Sequence, residues 1–199
     1  MNKNRIVILG AGGHGRVAAD IAGLCRYEEI LFLDDADIPG TAGKTADYMK
    51  FAENADFFVA VGNNSVRRKL QRMLWSNGCS VVSLIHPSAV LGSNVRIGVG
   101  TVVMAGVIIN TGASVGDGVI LNTACSVDHN CRIGDFSHVS VGAHLAGTVT
   151  LGNQVFIGAG ATVINNITVT DGCIVGAGAV VIRNISDKGT YVGVPAGKL

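Results

Sequence analysis

Aliphatic residues recur every six positions through the second half of this chain, and no other feature restricts its fold as sharply. Counted from Ile85, the first hexad positions are Ile85, Leu91, Ile97, Val103, Ile109, Val115, Leu121, Val127, Ile133, Val139, Leu145, Leu151, Ile157, Val163, Val169, Val175 and Val181. Ile85 to Ser186 is 102 residues, or 17 hexads (102/6) without an insertion. The fifth position is small, β-branched or Cys throughout, as in Ala89, Thr101, Ala113, Cys125, Ser137, Ala143, Ala161 and Ala179. A period of six suits neither an α-helix nor a long strand. It suits a parallel β-helix wound as a triangular prism, with one hexad per side. The first position points inward and stacks on its copies in adjacent coils. The fifth fits the narrow interior. Seventeen sides (17/3) make between five and six coils, so the prism is about 27 Å tall at roughly 4.8 Å per coil. Such a solenoid buries a core only by stacking its coils.

Composition narrows the class. Fifteen basic and 14 acidic residues leave a net charge of +1 with no basic tract, so nucleic acid is not an expected partner. Aromatic residues make up 5%, as a narrow interior requires, and the mean hydropathy is +0.44. Ile97–Gly116 carries no charge over 20 residues. The hexad register runs through it and Asn110, Thr111 and Ser114 interrupt it, so no membrane span is expected. The opening MNKNRIVILGAGGHG reads as a buried strand entering a glycine motif rather than as a signal peptide. The five Cys form no C-x-x-C pair, and three occupy inward hexad positions. They read as small core residues of a cytoplasmic protein.

Residues 1–84 lie outside the register and read as a separate unit, with 85–199 as the second. Ile6–Leu9, Ile30–Leu33, Phe57–Val61 and Val81–Leu84 read as strands. Val17 to about Tyr27, and Val66 to about Ser76, read as helices. That alternation predicts a small parallel, Rossmann-like sheet. Gly10-x-Gly12-x-x-Gly15 matches the dinucleotide fingerprint, with Asp34-Asp35 about 20 residues on. It reads either as a phosphate site at a helix N-terminus or as a tight turn that needs glycine. Gly12, Gly13, His14, Asp34, Asp35, Gly62 and Asn63 all fall at the C-terminal ends of strands, where parallel sheets bind ligands. Eighty-four residues is half a dinucleotide fold, so a mononucleotide or nucleotide-sugar is expected rather than NAD.

Of the five His, His129, His138 and His144 stand out on the prism wall. His129 takes the third hexad position, and His138 and His144 the sixth, none of which points inward. Gly147 stacks one coil above His129 and leaves space for its ring, while Asp128 and Asn130 flank it as candidate partners. A shared metal needs three suitably placed His, but these lie on three different sides, so no metal is expected.

The hexad domain resembles the left-handed β-helix, hexapeptide-repeat acyltransferases over all of Ile85–Leu199, including Gly193-Val-Pro195-Ala196. Within that family the chain is similar to bacterial nucleotide-sugar N-acetyltransferases of the bacillosamine pathway. The similarity runs through Gly10-Ala-Gly-Gly-His-Gly15, Phe32-Leu-Asp-Asp35, Val61-Gly-Asn-Asn64, Leu121-Asn-Thr123, Val127-Asp-His129 and Phe136-Ser-His-Val-Ser-Val-Gly-Ala143. Sialic-acid O-acetyltransferases share the two-domain plan and are the nearest rival. The resemblance implies a homotrimer with acetyl-CoA lying between prisms. It implies His129 as catalytic base, and His138 with Gly147 and the backbone near Ala159 and Ala177 on acetyl-CoA. Gly12, Gly13, His14, Asp34, Asp35, Gly62 and Asn63 would hold a UDP-amino sugar. The family places a carboxylate directly after the catalytic His; here that residue is Asn130, with Asp128 on the other side.

The implied chemistry is direct transfer to a sugar amine. An ammonium cannot attack a thioester, and a neutral imidazole can take its proton as attack proceeds. Backbone N–H groups near Gly147 would stabilise the oxyanion. Two other classes compete: an NAD-binding oxidoreductase, which the fingerprint favours and the missing catalytic domain disfavours, and a non-catalytic solenoid scaffold.

Overall fold

The computed structural model describes residues 4–199. Its first unit is a three-stranded parallel sheet, β1 (Arg5–Leu9), β2 (Glu29–Leu33) and β3 (Asp56–Val59), ordered β2-β1-β3. Helices α1 (Gly13–Leu24) and α2 (Asn64–Ser76) cover its two faces. Alternation along β1 divides the core. Ile6 and Ile8 pack with Ala18, Ile21 and Ala22 of α1, while Val7 and Leu9 pack with Phe57, Val59 and Leu74. The fourth strand expected at Val81–Leu84 does not form. Val81 makes one isolated bridge to Phe57, and Leu84 already pairs with Val102 in the prism. A 3-10 segment, Thr45–Phe51, adds Tyr48 to the core.

The hexads wind into a left-handed-type parallel β-solenoid. Each side contributes a two-residue strand from hexad positions six and one, and the strands stack into sheets of eight, six and five. The first face runs from Leu84–Ile85 through His138–Val139 to Ile174–Val175. The second carries Val90–Leu91, Ser126–Val127 and His144–Leu145, and the third Arg96–Ile97 through Thr168–Val169. Adjacent coils pair through their backbones: Ile120 N donates to Ser137 O at 3.0 Å, and Asn122 N to Val139 O at 2.9 Å. The strand of residues 190–192 and an antiparallel partner, Gly197–Lys198, finish the first face.

The corners are set by the fourth hexad position. From Asn94 to Gly178 every such residue has positive φ, including Ala124, Asn130, Phe136 and Thr148. Non-glycine residues reach that region at a cost, and here each corner's hydrogen bonds impose it. Phe136, at φ 55°, is held under Trp75 with ring centroids 6.3 Å apart. The first coil departs from the register expectation: Ile85 and Leu91 are 36% and 39% exposed. They form the open base of the prism and have no coil beneath them.

The fifth position is filled to contact, since Ala143 and Ala161 are 0% exposed. Ala143→Leu should therefore destabilise the fold by about 1–3 kcal/mol through overpacking. Thr168→Val, on the exposed third face, should change stability by less than about 0.5 kcal/mol. Urea unfolding of both variants checks this.

Candidate active site

The fingerprint glycines separate into two kinds. A Cβ at Gly10 would lie 2.6 Å from Ala60 O, and one at Gly15 would lie 2.0 Å from Gly10 O. Those two are required by packing alone. Cβ atoms at Gly12, Gly13 and Gly62 would meet nothing within 4 Å. Packing does not demand these glycines, and they leave open space at the N-terminus of α1, whose first turn has no side-chain cap. That is a surface a ligand phosphate can approach.

Asp34 holds the loop itself: its carboxylate accepts from Ala11 N at 2.7 Å and Ala36 N at 2.9 Å. The Ala11 bond, chiefly, lowers its pKa below the usual carboxylate value. Asp35 Oδ1 accepts from Thr45 N at 2.9 Å. Asn63 caps α2, its Oδ1 taking Ser65 N and Val66 N at 3.1 Å each. These three side chains shape the strand-end loops.

His138 differs from its expected surface position. The first unit covers it to 9% exposure. Its ring meets Phe156 edge-on at 5.1 Å between centroids, and Nε2 lies 3.2 Å from Asn122 Nδ2. Its Nδ1 is buried beside the Gly62 backbone without a hydrogen bond of normal geometry. Across the junction, His14 Nε2 is likewise buried and unpartnered. Burial, then the buried Arg67 of α2, holds the His138 pKa down to about 3 and that of His14 to about 4. Both rings are neutral at neutral pH. Beyond Gly62 and Phe156, the neighbours of His138, opens a cavity of about 550 Å³ between α2 and the first face. Gly62 and Asn63 line it together with Phe156, Ile174 and Lys188, which belong to no motif of the sequence.

His129 sits on a different corner, between the second and third faces, and is exposed. The space at Gly147 is not empty, because the ring fills it: a Cβ there would lie 2.5 Å from Nε2. Asn130 Nδ2 lies 3.2 Å from Nδ1 of the ring. Asp128 turns to Asn110 Nδ2 and to the backbone N–H of His129, both at 2.7 Å. Asn130, and not Asp128, is thus the side chain that touches the imidazole. Ala159 and Ala177 stack on the corner after the first face, both exposed. His144 pairs locally with Ser126 Oγ at 2.8 Å. Burial raises the Cys125 thiol to about 12, so it is no nucleophile. Among the described residues no three His, Cys, Asp or Glu converge as a metal site, and no helix is long and apolar enough to cross a membrane.

The buried rings tie stability to pH. Unfolding returns each to its ordinary value near 6.5, so between pH 6.5 and about 4 the unfolded chain binds more protons than the native one. Stability should be intact above pH 6.5 and fall on acidification, by up to about 1.4 kcal/mol per pH unit per ring. Urea unfolding from pH 7.5 to 5 measures the slope, and His138→Phe should remove one ring's share.

Residues 5–74 match the family model of the PglD N-terminal domain, and residues 148–183 match the bacterial transferase hexapeptide (six repeats) model. A UDP-N-acetylbacillosamine N-acetyltransferase of Bacillus subtilis (strain 168) is 36% identical over 110 residues, 50% of this chain. The match covers only 51% of that enzyme's length. Among solved structures, the acetyltransferase domain of PglB from Neisseria gonorrhoeae FA1090, in complex with acetyl coenzyme A, is 40% identical with a TM-score of 0.96, covering 100% of both chains. PerB from Caulobacter crescentus, in complex with CoA and GDP-perosamine, is 40% identical with a TM-score of 0.93, over 98% of this chain and 96% of that one. With both units matched in order and the whole chain superposed, the protein belongs to the hexapeptide-repeat acetyltransferases that carry a PglD-type N-terminal domain.

Proposed function

We propose that this chain transfers the acetyl group of acetyl-CoA to the 4-amino group of a UDP-linked amino-deoxy sugar, with His129 as general base. What carries the reading is His129 itself: an exposed imidazole seated in a glycine notch and touched by Asn130. The nucleotide-sugar lies against Gly12, Gly13, His14 and Gly62, with its diphosphate at the N-terminus of α1. Asp34, Asp35 and Asn63 hold the surrounding loops. Acetyl-CoA contacts His138 and runs past Ala159 and Ala177. For Nε2 of His129 to accept a proton, Nδ1 must carry one. The Asn130 amide therefore presents its oxygen to Nδ1, an orientation reached by a simple amide flip.

The partner is a further copy of the chain. His129 lies on the opposite side of its prism from the face that carries His138 and meets the first unit, so one subunit does not by itself unite the base with the two substrates. A trimer with sites between prisms unites them, and the apolar second face, with Val90 59% and Ile108 45% exposed, suits that contact. The place of work is the cytoplasm, where both substrates are found. The relatives support the nucleotide-sugar class, and among them GDP-perosamine is the rival to a UDP-sugar.

An assay of acetyl-CoA with UDP-, GDP- and dTDP-linked 4-amino sugars should give the highest kcat/KM for the UDP-sugar. Preference for another nucleotide would revise the base. His129→Ala should lower kcat by about 10²–10⁴-fold with acetyl-CoA affinity little changed. Gly147→Ala removes no functional group, yet should lower kcat by displacing the ring. An His129→Ala variant keeping more than about a tenth of wild-type kcat would place the base elsewhere.

Mixing His129→Ala and His138→Ala subunits should restore activity towards about a quarter of wild type, because random trimers then contain sites with both rings. Activity no higher than that of the parents, with mixed trimers shown by mass spectrometry, would mean that each site lies within one subunit.

A further inference from the structure

Arg67 is the largest fully buried side chain in the described structure, at 0% exposure. No carboxylate pairs with it; the described ion pairs are Arg5–Glu29, Lys44–Asp37 and Lys50–Asp47. Its donors go instead to oxygens of both units. Nε donates to Gly118 O at 2.7 Å, and Nη2 to Phe136 O at 2.8 Å and Ser137 O at 3.3 Å, all in the prism. Nη1 donates to Val61 O at 3.0 Å and Gly62 O at 3.2 Å, and Nη2 also to Asn64 Oδ1 at 2.8 Å, all in the first unit. Ser137 immediately precedes His138, and Gly62 lies against the His138 ring.

We propose that Arg67 is a positioning residue for the acetyl transfer: its guanidinium locks the Gly62 loop to the coil that carries His138, and its unpaired charge makes the junction electropositive. The role rests on the reading of this junction as the acceptor site. A buried cation without a counter-charge is costly, and an apolar residue would join the two units more cheaply. The charge therefore suits an anionic ligand, which the diphosphate of a nucleotide-sugar supplies. Only a planar fork reaches oxygens on opposite sides at once; a lysine ammonium does not. The charged and titratable groups facing the junction are Arg67 from α2, His14 from α1 and His138 from the first face, with Lys188 lining the adjoining cavity. Burial first, and Arg67 second, keep both imidazoles neutral, so they present neutral donors or acceptors to the substrate.

Gln71, one turn further along α2, supplies the control. It is also 0% exposed and ties the two units together, donating from Nε2 to Val99 O at 2.9 Å, but it carries no charge. Full-length Arg67→Met, Arg67→Lys and Gln71→Met proteins would be compared by urea unfolding, by ¹⁵N NMR titration of the imidazoles and by steady-state kinetics. Arg67→Met should raise the KM for the nucleotide-sugar about tenfold or more through the Gly62 loop, and that for acetyl-CoA as well through the coil carrying His138. It should also move the His14 and His138 titrations upward by roughly one pH unit. Arg67→Lys should raise the sugar KM while leaving the titrations where they are. Gln71→Met should lower stability and leave both readouts alone. If Arg67→Met is folded and titrates as wild type does, or if Gln71→Met raises the sugar KM equally, the residue is only a structural tie and the proposal fails. If Arg67→Met does not fold, an unchanged sugar KM in Arg67→Lys overturns it. The titrations need no substrate, so a wild type inactive on amino sugars would sink the functional reading while leaving the charge effect to be judged on its own.

Discussion

The backbone ladder between coils is the interaction on which the rest of this structure depends. Each coil donates its N–H groups to the carbonyls of the next, as Ile120 N does to Ser137 O at 3.0 Å. With only two paired residues per side, the ladder survives only if every corner turns by the same angle. The unbroken run of positive φ at the fourth hexad position provides that. The same rule places Asn130 at φ 58°, directly after His129, and brings its amide to the ring. The corner that shapes the prism therefore also furnishes the imidazole with its partner.

The junction of the two units works differently. There the fold buries a guanidinium and two imidazoles, groups that solvent would otherwise claim. Carbonyl oxygens satisfy the guanidinium completely, whereas His14 Nε2, His138 Nδ1 and Gln71 Oε1 are buried without partners. Buried polar atoms without partners are costly. The two imidazole atoms, close to a buried cation, mark a surface shaped for something other than stability.

The two units divide the work. The α/β unit offers open glycines and a helix N-terminus, which suit recognition of a phosphate-bearing group. The prism offers a rigid scaffold on which an imidazole can be held in a glycine notch. Asp34 and Asn63 show that polar residues at strand ends also build loops: both side chains are engaged by backbone N–H groups of their own unit. For the proposed chemistry, the open glycines remain free to meet the ligand, while Asp34 also holds its loop.

Much of the architecture was legible in the sequence because a six-residue period has one regular solution, and because inward aliphatic positions are a property of the chain's own register. The three-stranded α/β unit was legible for the same reason, from short apolar runs punctuated by Gly and Asp. Its supposed fourth strand was not, because Val81–Leu84 is equally apolar whether it closes the first sheet or opens the prism, and the competing partner at Val102 decided the matter. The candidate His129 was visible as an outward residue beneath a glycine. What only the tertiary structure decided lies between the units. Register places the His138 side chain outward, and it is buried because a separate sheet and helix settle over that face. Arg67 reads as an ordinary polar residue of a surface helix until the coil carrying Gly118 and Phe136, more than 50 residues away in the chain, supplies its carbonyls. Periodicity reports what a residue does within its own element; burial and charge at a junction depend on which other element arrives there, and no local pattern records that.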